Sequence, residues 1–179
     1  RGGQFQHGKI TKDESQKSEE WKKLMNNSTR EFFRKWGTTV LHDNLLKPIV
    51  PPKYDIGFVV TDCDEQMLET LEPWCSTIYV DTYAQDYIDR EQSNTADDLN
   101  KKIYSIDAEK NNDIEVRFDG TKLTNESFQY ITQLSQILAN DKELEEGSFK
   151  LDIFEININK IKTYEEELIT NENTMFNTN

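Results

Sequence analysis

Residues 55–61 read Asp-Ile-Gly-Phe-Val-Val-Thr, an apolar run broken only by Gly57 between a leading aspartate and a closing threonine. A strand with one face in water alternates apolar and polar residues, whereas an unbroken run marks a strand covered on both faces, as in parallel sheets. Immediately after it come Asp62-Cys63-Asp64 and then residues 65–74, where Met67, Leu68 and Leu71 recur at helical spacing. Residues 77–80 (TIYV) read as a second strand. Strand, helix, strand in this order is the pattern of a crossover unit, and it fixes a parallel sheet.

Working outward, residues 83–106 hold one or two helices, of which 95–104 has the better pattern. Residues 114–118 (IEVRF) give a third strand. Residues 124–139 give a helix with Phe128, Ile131, Leu134, Ser135 and Leu138 inward. Residues 149–158 (FKLDIFEINI) read as a fourth strand with a change of phase: Phe149, Leu151 and Ile153 share one side, Phe154, Ile156 and Ile158 the other. A bulge or bend near Ile153-Phe154 reconciles the two sets. The expected fold over residues 54–162 is therefore α/β, a small and mainly parallel sheet of about four strands with crossover helices.

Upstream, residues 18–36 predict an amphipathic helix. Trp21, Leu24, Met25, Ser28, Phe32 and Trp36 recur at three and four to make one apolar stripe, and Gly37 supplies the stop. So large an aromatic load requires a surface to dock on. Residues 5–7 close a strand ahead of it, so residues 1–37 read as a strand end plus a docked helix. Residues 38–53 form a connector in which Pro48, Pro51 and Pro52 oppose regular structure, and the domain boundary falls there. Residues 163–179 are a polar tail, and its end, NENTMFNTN, lacks any periodicity.

The chain has 179 residues, 35% hydrophobic and 31% charged, with a formal net charge of −13. That charge argues against a nucleic-acid partner, because phosphate backbones are bound by dense Lys/Arg surfaces. No apolar run reaches the length of a membrane span. Cys63 and Cys75 are the only cysteines and read as reduced thiols of a cytoplasmic protein. The first residue is Arg1 rather than Met, so the remainder of a longer parent chain, or another subunit, is the expected partner.

Asp62, Asp81 and Asp119 lie just past the ends of expected strands, with Asp64 beside the first. That edge is where open α/β sheets bind ligands. Two carboxylates so placed suit a hard divalent cation with a diphosphate. Helix cap and turn roles compete with that reading and are preferred, since Asp64 stands directly before a helix. His7 and His42 are the only imidazoles, and neither has ligands at zinc spacing. There is no glycine-rich phosphate loop and no nucleophile elbow. The aromatic residues Trp36, Trp74, Tyr79, Tyr83, Tyr87 and Tyr104 read as packing before they read as a sugar platform.

One family pattern is present. Phe5-Gln6-His7-Gly8-Lys9-Ile10-Thr11, then Asn27, Arg30, Phe32-Phe33 and Lys35-Trp36-Gly37, resemble the closing segment of the catalytic domain of family 2 glycosyltransferases. The resemblance implies inverting transfer from a nucleotide sugar, with His7 near the diphosphate and its divalent cation (manganese or magnesium). It also implies that the nucleotide-binding strands, the metal-holding aspartates and the catalytic base precede Arg1. Three readings follow: the C-terminal portion of such an enzyme, not catalytic alone; a non-catalytic α/β interaction module or complex subunit; or a small-molecule enzyme using Asp62, Asp81 and Asp119.

Overall fold

The strand at residues 55–61 occupies the middle of the sheet, and the rest of the fold is arranged around it. The structure, a computed structural model, describes residues 12–141 and 144–163, with side chains from residue 18 onward. A long helix, α1 (Lys12–Trp36), is followed by a two-strand ribbon, β1 (Leu41–His42) and β2 (Pro48–Ile49). Then come β3 (Ile56–Thr61), α2 (Glu65–Leu71), β4 (Thr77–Val80), α3 (Gln85–Glu91), β5 (Ile103–Ser105), β6 (Ile114–Asp119), α4 (Asn125–Asn140), β7 (Gly147–Leu151) and β8 (Phe154–Ile158). The fold is α/β, with a six-stranded sheet in the order β5-β4-β3-β6-β8-β7. The first four are parallel, and β8 and β7 run antiparallel at one edge.

The sheet is larger than the four strands expected from sequence, for two reasons. Residues 147–158 make a hairpin instead of one bent strand: Leu151 pairs with Phe154 and the two-residue turn carries Asp152 at φ 54°. The phase change is thus a reversal of direction. A left-handed turn residue matches the twist of paired strands, and Asp adopts it more readily than bulkier residues. Residues 95–104 do not form the expected helix. They make a single 3₁₀ turn, Leu99–Lys101, capped by the Asp98 carboxylate, and then enter β5, which pairs with β4. Ile103 gains more from the core beside Ile78 and Val80 than a short helix there would supply. The helix of this region is α3, further upstream.

Residues 56–60 of β3 are buried, as the unbroken apolar run predicted, but the two faces of the strand are covered by different parts of the chain. Ile56, Phe58 and Val60 of β3, with Ile78, Ile114, Val116, Phe154, Ile156 and Ile158, share one core with Leu68, Leu71, Tyr87, Ile131, Leu134 and Leu138 from the helices. What covers Gly57 and Val59 on the other side is the return of the chain from β5 to β6. Moving back across β4 and β3 to reach a parallel strand, a right-handed connection has to pass over the opposite face. Asn112 of this segment accepts a hydrogen bond from Tyr79 Oη at 3.1 Å and donates to Asp55 at 2.8 Å. Gly57 is what allows it so close, because a Cβ there would lie 2.2 Å from Asn112 Oδ1.

The connector after α1 also departs from expectation. Leu41 pairs with Ile49 and His42 with Pro48, while the Asp43 carboxylate accepts from the N–H groups of Leu45 and Lys47. A proline fits a strand that needs no donor at that position. Phe5, His7 and the tail 171–179, to which the sequence assigned a strand end, a site residue and an unstructured end, lie outside the described residues.

Candidate functional site

Two parts of the molecule gather chemistry-bearing side chains: the seam that fixes α1, and the open face of the sheet.

Helix α1 docks through a different side from the one its apolar residues suggested. Gly37, at φ +65°, stops it as the sequence predicted, with its N–H on the Phe33 carbonyl. Toward the sheet domain it turns Asn27, Arg30, Phe33 and Arg34, spaced at three and four. Phe33 stacks on Trp74 with centroids 4.1 Å apart. Arg34, 5% exposed, meets Glu72 through Nε at 3.1 Å and a terminal nitrogen at 2.7 Å, and meets Glu91 at 2.6 Å. Arg30 donates to Glu91 at 2.9 Å, to Tyr87 Oη at 2.6 Å and to the Glu69 carbonyl. Glu72 is wholly buried and also accepts from Tyr87 and from Lys102 at 2.8 Å. Burial alone would raise the Glu72 pKa, but Arg34 and Lys102 outweigh it and hold the carboxyl at about 2. Burial likewise opposes the charge of Arg34, yet its carboxylates keep the guanidinium pKa above its ordinary value. With Glu31 pairing Arg34 at 2.7 Å, three carboxylates match the three cations, so this is a clamp.

The consequence for the apolar stripe is a correction. At 3.6 residues per turn, Trp21, Leu24, Met25, Ser28, Phe32 and Trp36 lie on the side of α1 opposite Arg30 and Arg34. Trp21 is 62% exposed, Leu24 64% and Met25 46%. The helix is attached through Arg30, Phe33 and Arg34 and offers Trp21, Leu24 and Met25 outward. Packing against the sheet domain does not explain the stripe.

The four aspartates at the carboxyl edge of the sheet are near one another in the fold, and the carboxylates of Asp64, Asp81 and Asp119 hold the backbone. The Asp81 carboxylate accepts the N–H of Asp62 at 2.7 Å and of Cys63 at 3.1 Å, closing the loop after β3, where Asp62 takes φ 51°. Asp64 is the N-cap of α2, accepting from Met67 N–H at 2.7 Å. Asp119 accepts from Thr121 N–H and Oγ1 and pairs with Lys122 at 3.1 Å. Among the described residues no group of three or more His, Cys, Asp or Glu side chains is placed to hold a metal ion, and the Asp64, Asp81 and Asp119 carboxylates are already engaged with backbone N–H groups. Burial, with Asp81 and Asp64 adding to it, pushes the Cys63 thiol up to about 12, and burial pushes Cys75 to about 12. Neither is a thiolate nucleophile at neutral pH.

The open face carries side chains that the sequence did not single out. Register places Tyr104, Tyr79, Val59, Arg117, Glu155 and Lys150 in one row across all six strands. Tyr104 stacks on Tyr79 at 5.8 Å, and the Lys110 ammonium lies 5.5 Å from the Tyr79 ring centroid. Arg117 pairs with Glu115 at 2.5 Å on the same strand face. Between the β5–β6 return and the β7–β8 hairpin this face sinks into a groove of about 610 Å³ lined by Val59, Ile106, Lys110, Arg117, Lys150 and Glu155, among others. Alternation in IEVRF and FEINI, which puts Glu115, Arg117, Glu155 and Asn157 on one side, was the available signal.

Comparison with known protein families, curated proteins and solved structures gives no match to this chain.

Proposed function

We propose that the chain is a non-catalytic accessory α/β module at the C-terminal side of a sugar-nucleotide-dependent glycosyltransferase, with α1 as the element that joins it to the catalytic unit. The observation that carries this reading is the two-sidedness of α1: Arg30 and Arg34 clamp one side to the module, and Trp21, Leu24 and Met25 face outward on the other. An aromatic face fixed on a rigid support is suited to burial against a second folded unit. The resemblance of residues 5–37 to the close of a family 2 catalytic domain supports the identity of that unit. In the parent enzyme His7 would stand near the diphosphate, and the cation and catalytic base would come from residues before Arg1.

A non-catalytic subunit of another complex would use the same face. The aspartate edge supports the small-molecule enzyme least, since Asp64, Asp81 and Asp119 are engaged with backbone N–H groups.

The deciding experiment compares hydroxyl-radical footprints of this chain with those of the chain extended by its upstream coding sequence. Trp21 and Met25 are expected to be oxidised readily here and protected in the extended protein. Equal oxidation of both in the two proteins, or an upstream sequence without a nucleotide-sugar pattern, refutes the reading. In nucleotide-release assays with UDP-, GDP- and CMP-sugars plus manganese, the 179 residues alone are expected to show no turnover.

A further inference from the structure

The groove on the open face is independent of the α1 surface, and its chemistry runs against the charge of the whole chain. The chain carries 34 acidic and 21 basic side chains, yet the groove presents Lys110, Arg117 and Lys150 with Glu155 as its one carboxylate. Arg117, Glu155 and Lys150 are successive neighbours in one cross-strand row, so their side chains leave the same face of β6, β8 and β7. The cations are differently held. Arg117 is oriented by Glu115, and Lys110 is tethered to the Ile106 carbonyl while lying near the Tyr79 ring. Lys150 and Glu155 make no ion pair with a described residue, although each is flanked in the row by a charge of opposite sign.

The site also occupies a meaningful place in the topology. β3 leads on to β4 in one direction, while β6 pairs on its other side, so the connections diverge between β3 and β6. Open α/β sheets take ligands at such switch points, outside the carboxyl ends of the strands, and the groove extends toward that end through Thr61 and Phe118. Here Val59 of β3 and Arg117 of β6, which pair in register, form the floor of the groove.

We propose that this groove binds a small organic phosphate whose body carries hydroxyl groups. Lys110, Arg117 and Lys150 line the one groove and give a phosphate cationic partners along it, and the guanidinium fork of Arg117 suits two of its oxygens. Glu155, an acceptor only, can take a hydrogen bond from a hydroxyl on the body of the ligand, so it favours a hydroxylated ester over inorganic phosphate. Val59 and Ile106 supply the apolar contact for the carbon body.

The test titrates glycerol 3-phosphate, inorganic phosphate, glycerol and chloride into the full chain, following amide resonances by NMR at constant ionic strength. Glycerol 3-phosphate is expected to give saturable shifts at Val59, Arg117, Lys150 and Glu155, more tightly than inorganic phosphate, with glycerol and chloride giving none. The double variant Lys110→Gln/Lys150→Gln, both at positions outside the buried core, is expected to weaken binding by about tenfold, the loss of charge-assisted hydrogen bonds. Glu155→Leu, which leaves no side-chain acceptor, should erase the preference for the ester while keeping phosphate binding. The proposal is overturned if no saturable shift occurs, if the double variant binds within about threefold of the parent, or if the shifts map elsewhere.

Discussion

Glu72→Ala tests the clamp most directly, because one wholly buried carboxylate receives Arg34, Arg30, Lys102 and the Tyr87 hydroxyl. Its removal leaves Arg34 and Lys102, both nearly buried, short of their main counter-charge, and breaking a buried pair from one side costs about 3–5 kcal/mol. The lowered pKa of Glu72 points to the same scale. The drop from an ordinary 4.5 to about 2 corresponds to about 3 kcal/mol, at 1.36 kcal/mol for each pH unit. Because the folded-state value lies below the unfolded one, this stabilisation is complete above about pH 4.5 and is lost as pH falls toward 2. In urea denaturation at pH 7 the variant should lose about 3 kcal/mol, equivalent to a Tm lower by about 6–12 °C for a chain of this size. The difference between parent and variant should shrink steadily below pH 4.5. Hydrogen exchange adds a local readout: amides of α1 should lose more protection than those of β3 and β6, since α1 is the element the clamp retains. A loss below about 1 kcal/mol at pH 7, or one that does not change between pH 5 and 2.5, would refute the argument.

Phe33→Ala removes the ring stacked on Trp74 and should cost about 2 kcal/mol by urea midpoint, whereas Trp21→Ala should stay within about 0.5 kcal/mol, since that ring projects outward. Trp36→Ala, with the indole 38% exposed, should cost well under the roughly 3–5 kcal/mol of a fully buried tryptophan. Asp64→Ala should cost about 1 kcal/mol through the lost cap of α2, and manganese should leave the Tm of the parent unchanged. Gly57→Ala drives a methyl into Asn112 and should cost about 1–3 kcal/mol, and Asn112→Ala in the same chain should make the two losses less than additive in thermal melts.

Those outcomes separate what was written locally from what was not. The central strand at 55–61, the short helix after it, the helix 125–140 with its inward Ile131, Leu134 and Leu138, the Gly37 stop and the Asp64 cap all follow from periodicity and end chemistry. Each depends on residues a few positions apart, so each was legible in the chain order alone. The apolar run of β3 was also legible, and its buried residues bear out a strand covered on both faces; what forms each cover was not legible. Val59 and Gly57 are covered by the return segment with Asn112, not by a helix, and no local pattern distinguishes the two covers.

The tertiary structure decided the rest, for one physical reason: the free energy lies in pairings between distant residues. Residues 103–105 are a strand because β4 offers unpaired backbone groups there, and residues 147–158 are a hairpin because β7 adds only to β8. Arg34 and Glu72 are 38 positions apart, and Arg117 and Lys150 are 33 apart, so neither the clamp nor the groove leaves a spacing to read. The sequence by itself determined an acidic α/β chain with an apolar stripe on its first helix. Only the fold decided that the stripe faces outward, because Arg30 and Arg34 find buried carboxylates while Trp21 and Leu24 find no surface on the sheet domain.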